Sequence, residues 1–447
     1  MKKEDRISTQ GKNPVSKKTL KREVFETSRE LEYFSEKELQ AQIGHDKRLW
    51  PIAILRELID NSLDDCEKTT IAPIIEIETK DDFITVSDNG TGIPVDVINK
   101  SLNYLSRVSD KAYYISPTRG QMGNALKVVY AAPYVTSGKG YVDIGSHGEL
   151  HHISITLDRM AGKPKIDHTI ETFVKNGTFV KIYYPKSSSL LYVKDRNSYN
   201  INAPTPEELI EGYTVFNPHA TFTLNGKKYN ATDTNWTKWT TNMQTSAHWY
   251  NIETFSSLVA GYLVKERGNG QHQKTVREFV SEFRGLTGTA KQKKVTQNYS
   301  RSYLNEFEKN GDIDRESLKV LLENMKNESI APKPNLLGII GKDHFTNWMI
   351  GKGGAEHSIK YIKKIGIDGG LPYVLEVGFA VKQDNTAKRT MITGLNWSPV
   401  VGSDPVPSIQ KAVQEARLDP QDAVIFIIHI ARPRFEFMDR GKTKIEL

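Results

Sequence analysis

The chain has 447 residues, 26% charged and 38% hydrophobic, with a formal net charge of +7. That length suggests two to three domains, and the composition is that of a soluble globular protein rather than a disordered one. No apolar run approaches the roughly 18 residues that span a bilayer, the single cysteine, Cys66, excludes an intramolecular disulfide or a Cys-rich zinc site, and the start Met-Lys-Lys-Glu-Asp lacks an apolar signal segment. A cytoplasmic location is the expectation. The positive balance suits a polyanionic partner, with basic runs at Lys17, Lys18, Lys21 and Arg22 and at Lys291, Lys293 and Lys294. A basic run is equally a solvated face.

Residues 1–24 are polar and basic and read as an N-terminal arm. From Lys47 to about Glu67 apolar residues recur at three- and four-residue spacing, which predicts a helix with Pro51 in its first turn. Short strands are expected at 74–79 and 83–87, then a turn at 88–94. After Gly120 a helix runs to about Ala132, and alternation at 141–145, 151–157 and 178–184 predicts further strands. The stretch 252–325 is helical and polar, and Pro332-Lys333-Pro334 is a linker candidate. Strands follow at 373–381, 388–394 and 423–430, with a helix at 409–416 between the last two. The expected architecture is an α/β sandwich, a helical insert and a second, smaller α/β unit, with no internal repeat.

Three motifs occur in order within about 70 residues. In Glu57-Leu-Ile-Asp60-Asn61-Ser-Leu-Asp64 the polar residues lie at i, i+3, i+4 and i+7, so one helical stripe carries three carboxylates and an amide. Such a stripe is repulsive unless a cation or ligand compensates it; otherwise it is a solvated acidic face. Asp88-Asn89-Gly90-Thr91-Gly92-Ile93-Pro94 places a carboxylate at a strand end, able to accept from an exocyclic amine, beside glycines that let the backbone approach a flat ring. A hairpin turn has the same look. Arg119-Gly120-Gln121-Met122-Gly123-Asn124-Ala125-Leu126-Lys127 is a glycine-bearing loop opening a helix, whose free N–H groups can cradle phosphates. It lacks the ending of a P-loop.

Together the three resemble the nucleotide-binding motifs of the gyrase, heat-shock chaperone, histidine kinase and MutL ATPase superfamily (GHKL), and Asn176-Gly177-Thr178-Phe179-Val180 resembles its fourth motif. Beyond the motifs, residues 25–447 are most similar to the B subunit of topoisomerase VI, the ATPase subunit of a type IIB topoisomerase. The supporting segments are Glu57 to Asp64, the Arg119-Gly-Gln-Met-Gly stretch, a helix-two-turn-helix-like insert around Phe283-Arg-Gly-Leu-Thr-Gly-Thr-Ala, and a transducer-like end carrying His429-Ile-Ala.

The resemblance implies an α+β/α/β multidomain fold: a Bergerat-type ATP-binding α/β sandwich over 25–240, the helical insert over 245–340, and a ribosomal-S5-like transducer over 345–447. It implies ATP and Mg²⁺ as cofactors. Glu57 would position or activate the attacking water, and Asn61 would be the metal ligand. Asp88 would read the adenine amine with Thr178 behind it, and Gly90 and Gly92 would line the base pocket. Gly120, Gln121, Gly123 and Asn124 would form the phosphate lid, with Asp64 and Lys127 completing the nucleotide contacts. Lys442, or its competitor Lys444, would be the switch lysine that reaches the γ-phosphate.

An ATP-dependent homodimer is implied, clamping duplex DNA and coupled to a DNA-cleaving A-type subunit or another effector, with no membrane partner. The chain stops at Leu447, short of the long docking helix of that family, and carries no cleaving tyrosine module, so strand passage by this chain alone is not expected. The alternative is an ATP-switched, dimerising regulator of an effector in a mobile-element or phage-defence setting. A histidine kinase would need a phosphoacceptor histidine on a helix before Glu57, where only His45 is available. His344 and His357 read as ordinary packing or surface histidines.

Overall fold

The computed structural model of the chain describes residues 29–80, 82–105, 113–119, 125–158, 160–185, 204–269, 273–299, 302–402 and 419–437, with 411, 414, 415, 417 and 445–446. Ser35 accepts the Glu38 amide and caps α1 (Glu36–Ile43), which ends at Gly44 with φ 78°. A 3-10 turn then leads into α2 (Trp50–Lys68), whose Pro51 sits in the first turn, where a missing N–H is harmless.

Two strands follow, β1 (Ile74–Lys80) and β2 (Phe83–Asp88), then helices α3 (Val95–Ser101) and α4 (Ala125–Ser137). The helix expected to stop near Ala132 runs on through Pro133 to Ser137, because its apolar face, from Val129 to Ala132, is held in the core. Strands β3 (Gly140–Ser146), β4 (Glu149–Asp158), β5 (Lys163–Thr172) and β6 (Phe179–Tyr183) are followed by helix α5 (Pro206–Phe216) and strands β7 (Thr221–Leu224) and β8 (Lys227–Tyr229).

These strands form one sheet in the order β5-β4-β3-β6-β2-β1-β7-β8. Strand alternation buries Ile75, Ile77, Ile84, Val86, Val142 and Ile144 on one face, against α1, α2 and α4, while Glu76 and Glu78 point outward. The result is a two-layer α/β unit with its core between helices and sheet.

Next come α6 (Ile252–Asn269), α7 (Val276–Ser281), α8 (Thr289–Val295), a small hairpin of β9 (Glu308–Lys309) and β10 (Asp312–Ile313), α9 (Arg315–Asn327) and α10 (Lys342–Gly351). The hairpin turns on Asn310 and Gly311, both at positive φ, as an Asn-Gly turn requires. On α9, Leu318, Leu321, Leu322 and Met325 recur at helical spacing and are all buried.

A second sheet follows: β11 (Lys360–Asp368), β12 (Leu371–Val381), β13 (Thr390–Leu395), β14 (Ser398–Pro399) and β15 (Val424–Ala431), ordered β11-β12-β15-β13-β14. One face of this sheet, with Val374, Ala380, Ile425 and Ile427, shares a core with the helices from α6 to α10. Of the helix expected at 409–416, Lys411, Gln414 and Glu415 are described, and all three are helical. The molecule is thus a multidomain α+β chain with separate cores.

Candidate functional site

Helix α2 divides its polar residues between two directions. Glu57, Asn61 and Asp65, four residues apart, lie on its accessible stripe. Asp60, Asp64 and Glu67 point the other way and are 3%, 3% and 7% exposed. The single stripe expected from the sequence is therefore two. Glu57 is half-buried and pairs with Arg56 at 2.9 Å. The Asn61 amide makes no hydrogen bond among the described residues.

The buried stripe pairs Asp64 with a cation of the protein itself. Its carboxylate accepts from Arg119 Nη1 at 2.8 Å, away from the accessible side of the helix. The compensating cation is thus a protein side chain, Arg119, itself 2% exposed, which also binds both oxygens of Glu67 (2.9 and 3.1 Å) and donates to Asn217. Lys238 (2.6 Å) and His219 (3.0 Å) complete the shell around Glu67. Burial alone would raise Glu67, but Arg119 and Lys238 hold it well below the ordinary glutamate range. Lys238, beside a second cation, is pushed down to about 8, chiefly by burial. Asp60 accepts from Tyr213 (2.7 Å) and Ser398 (2.8 Å), and burial, reinforced by Glu57, raises it to about 6.

At the end of β2, Asp88 Oδ1 accepts the N–H groups of Gly90 (2.9 Å) and Thr178 (3.0 Å), and the Ser62 hydroxyl of α2 lies near enough to favour its ionised form. Thr178 supports Asp88 through its backbone, because its carbonyl in turn accepts the Asp88 N–H at 2.9 Å. Burial outweighs these donors and leaves the Asp88 carboxyl raised. Gly177, at φ +83°, is required here: a Cβ would lie 2.0 Å from the Asp88 carbonyl oxygen. Asn89 ties the turn to the preceding loop through Ile74 N–H and the Ala72 carbonyl.

Sequence reasoning missed Asp65. Its Oδ2 accepts the N–H groups of Thr91 (2.6 Å) and Gly92 (3.0 Å), and its Oδ1 accepts the Thr91 hydroxyl (2.9 Å). A Cβ on Gly90 would meet Asp65 Oδ2 at 2.2 Å and Asp88 Oδ1 at 3.1 Å, so the two carboxylates converge on that glycine. The signal was available: Asp65 continues the i, i+4 series of Glu57 and Asn61 by one more turn.

Asn61, Asp88, Gly90, Gly92 and Thr178 are thus gathered around α2 and the 88–94 turn. Lys127 sits apart from this set on α4, where it is 2% exposed, donates to the Asn103 carbonyl at 2.7 Å and lies 5.6 Å from the ring centres of Tyr33 and Tyr104. Gly120, Gln121, Gly123 and Asn124 lie outside the described residues, as do Lys442 and Lys444. The N-terminal arm, residues 1–24, does as well.

The second sheet reaches the buried side of α2. Asn396 and Trp397, both at positive φ, form the turn between β13 and β14. From there Ser398 bonds Asp60 of α2, the Trp397 carbonyl accepts from Asn217 at 2.9 Å, and Asn396 donates to the Thr118 carbonyl at 3.3 Å, one residue before Arg119. Lys238 Nζ lies 4.3 Å from the ring centre of the fully buried Trp397. His429, on β15, faces Glu376 at 3.3 Å and stacks on Phe216.

No family model matches the chain. Among curated proteins it is similar to the B subunits of type 2 DNA topoisomerase 6. The Methanosarcina barkeri protein is 29% identical over 186 residues, 39% of this chain and 28% of that protein. The Methanococcoides burtonii protein is 30% identical over the same length, again 28% of that protein. The Archaeoglobus fulgidus protein is 22% identical over 424 residues, 88% of this chain and 66% of that protein. The chain thus spans little over a quarter of the first two relatives and about two thirds of the third. Among solved structures, the N-terminal domain of a DNA repair protein aligns with 92% of the chain at 13% identity and a TM-score of 0.40, too low to bear on the fold. The chain is a distant relative of the topoisomerase 6 B subunits. No helix among the described residues is long and apolar enough to cross a membrane.

Proposed function

We propose that this chain is a magnesium-dependent ATPase of the GHKL type, built like the nucleotide-driven half of a type IIB topoisomerase. The observation that carries the reading is the Asp88 constellation: a buried carboxylate at a strand end, oriented by Gly90 and Thr178, beside a helix whose accessible stripe presents Glu57 and Asn61. In this reading 25–240 form a Bergerat-type nucleotide-binding unit, 245–340 a helix-two-turn-helix-like insert and 345–447 a transducer.

The residues suit the group they would hold. Asp88 is acceptor-only when ionised and reads an exocyclic amine, as adenine offers. Gly90 and Gly92 leave the turn without side chains, so a flat base can lie against backbone. Asn61 has an amide oxygen not engaged by any described residue, on the stripe shared with Glu57, and would ligate Mg²⁺. The ion would supply neutralisation of phosphate charge. Glu57 then orients and deprotonates the attacking water. Gly120, Gln121, Gly123 and Asn124 would close over the phosphates, and Lys442 would reach the γ-phosphate from the transducer.

The hydrogen bonds from Ser398 and Asn396 to α2 and to the segment before Arg119 support coupling of nucleotide state to the second sheet. The outcome of that coupling would be ATP-dependent dimerisation as a clamp on duplex DNA, acting with a DNA-cleaving subunit or another effector.

The test separates binding from turnover. Glu57→Ala should bind nucleotide almost as wild type yet release no phosphate. Asp88→Asn should lose affinity by about ten- to a hundredfold, the worth of a charge-assisted hydrogen bond. Nucleotide affinity by calorimetry and phosphate release, measured separately, decide. Wild-type turnover in Glu57→Ala, or wild-type affinity in Asp88→Asn, would overturn the assignment of that residue. Light scattering with a γ-phosphate-retaining analogue, with and without duplex DNA, tests the clamp.

A further inference from the structure

Asp65 lies one turn beyond Glu57 and Asn61 on the accessible stripe of α2 and has no part in the chemistry assigned to Glu57, Asn61 and Asp88. It is nevertheless the side chain that holds the base-facing turn to α2. Three donors converge on its two oxygens: Thr91 N–H, Gly92 N–H and the Thr91 hydroxyl, all within 3.0 Å. Successive backbone N–H groups aimed at one anion form a nest, a geometry that fixes both the anion and the backbone presenting it. Gly92 is at φ +96° and packs so closely that a Cβ would lie 2.5 Å from Ser146 Oγ. The turn is therefore pinned from α2 on one side and from β3 on the other.

We propose that Asp65 is a positioning residue for base recognition: by clamping Thr91 and Gly92 to α2 it sets the distance between the backbone of the turn and the Asp88 carboxylate. This rests on the nucleotide-binding reading above. Asp88 discriminates a base amine only if the ring is held in register with it. Two anchors set that register. Gly90 is tied to Asp88 Oδ1 by its own N–H, and the next two residues are tied to Asp65. Without Asp65, Thr91 and Gly92 lose their only described partner on α2, and the turn is held only at its ends, by the Asp88 and Asn89 contacts and by Ser146 on Ile93. The base can then still lie against the glycines, but its edge is no longer placed against the carboxylate.

The readout is discrimination, which a loss of stability alone would not move. ADP and its analogue lacking the 6-amino group are titrated against the full-length wild type and against Asp65→Asn, Asp65→Ala and Thr91→Pro, each checked for folding by thermal melting. Wild type should prefer ADP by about ten- to a hundredfold, as expected for a charge-assisted hydrogen bond to the amine. Asp65→Ala should weaken ADP about tenfold or more and shrink the preference below about threefold. Thr91→Pro, which removes two of the three donors and leaves the Gly92 N–H, should shrink the preference part of the way, and Asp65→Ala combined with Thr91→Pro should be no worse than Asp65→Ala alone, in which all three bonds are already gone.

Asp65→Asn is isosteric and settles the matter if the others do not fold; its amide cannot accept all three donors, so the preference should fall between those of wild type and Asp65→Ala. A folded Asp65→Asn or Asp65→Ala with the full wild-type preference overturns the proposal and leaves the nucleotide reading standing. A wild type that binds neither compound sinks the nucleotide reading itself.

Discussion

Asp60 and Asn61 are adjacent in sequence and lie about 100° apart around α2. That rotation gives one a buried pair of hydroxyl donors and leaves the other without a hydrogen bond among the described residues. The raised carboxyl of Asp60, about 6 against 3.8, fixes the sign of a pH effect. Between those values the folded state holds a proton that the unfolded state has released. Stability from this group therefore falls as pH rises from about 4 through 6, and the full penalty applies above 6. Asp60→Asn keeps an oxygen for Tyr213 and lets Ser398 accept instead of donate. Relative to wild type, it should gain stability progressively from pH 4 to 7, by about 2 kcal/mol over that range. Denaturation midpoints across that range check it; a constant difference between variant and wild type would mean that Asp60 is already ionised throughout.

At the scale of elements, α2 carries the accessible stripe on one side and one half of a buried ion network on the other. Arg119 supplies the other half from the segment that leads to the expected lid. Removing one partner of a buried pair leaves the remaining charges uncompensated, which typically costs 3–5 kcal/mol. Arg119→Met should destabilise by about that much. Arg119→Lys should recover only part of it, because a point charge cannot contact Asp64, both oxygens of Glu67 and Asn217 together. Urea denaturation measures both, and a fully stable Arg119→Met would show that Asp64 and Glu67 can shed their charge at little cost.

Several elements had legible signals that periodicity alone did not catch. Thr205-Pro206-Glu207-Glu208 opens α5 with a reciprocal capping box, and Thr275 to Glu278 does the same for α7. Strand β5, with exposed residues along most of its length at the sheet edge, lacks the apolar alternation that marked its neighbours, so its residues carried little warning of a strand.

At the scale of the molecule, the turn between β13 and β14 joins the two sheets. Trp397 is fully buried between Lys238, Trp236 and His429, although it comes from the second sheet and Lys238 belongs to the segment after the first. Trp397→Ala should lose about 3–5 kcal/mol, the usual range for a large aromatic truncated in a core. It should also split a shared unfolding transition into two, because the described bridge from the second sheet to α2 runs through this turn. Scanning calorimetry distinguishes the outcomes; a single transition of unchanged cooperativity would place the coupling elsewhere.

The sequence by itself determined the helical spacing of α2, the strand that ends at Asp88, the turn after it and the distant kinship with topoisomerase 6 B subunits, because these are matters of local period and short motifs. It could not assign faces. Glu57 to Asp64 satisfies one stripe on paper. Which carboxylates turn inward depends on where Arg119, Asn217 and Ser398 arrive from 52 to 338 residues away. Desolvation and ion pairing act on distance in space, so the division of α2 into a buried network and an accessible edge, and the capture of Thr91 and Gly92 by Asp65, were decided only when the sheets and helices packed.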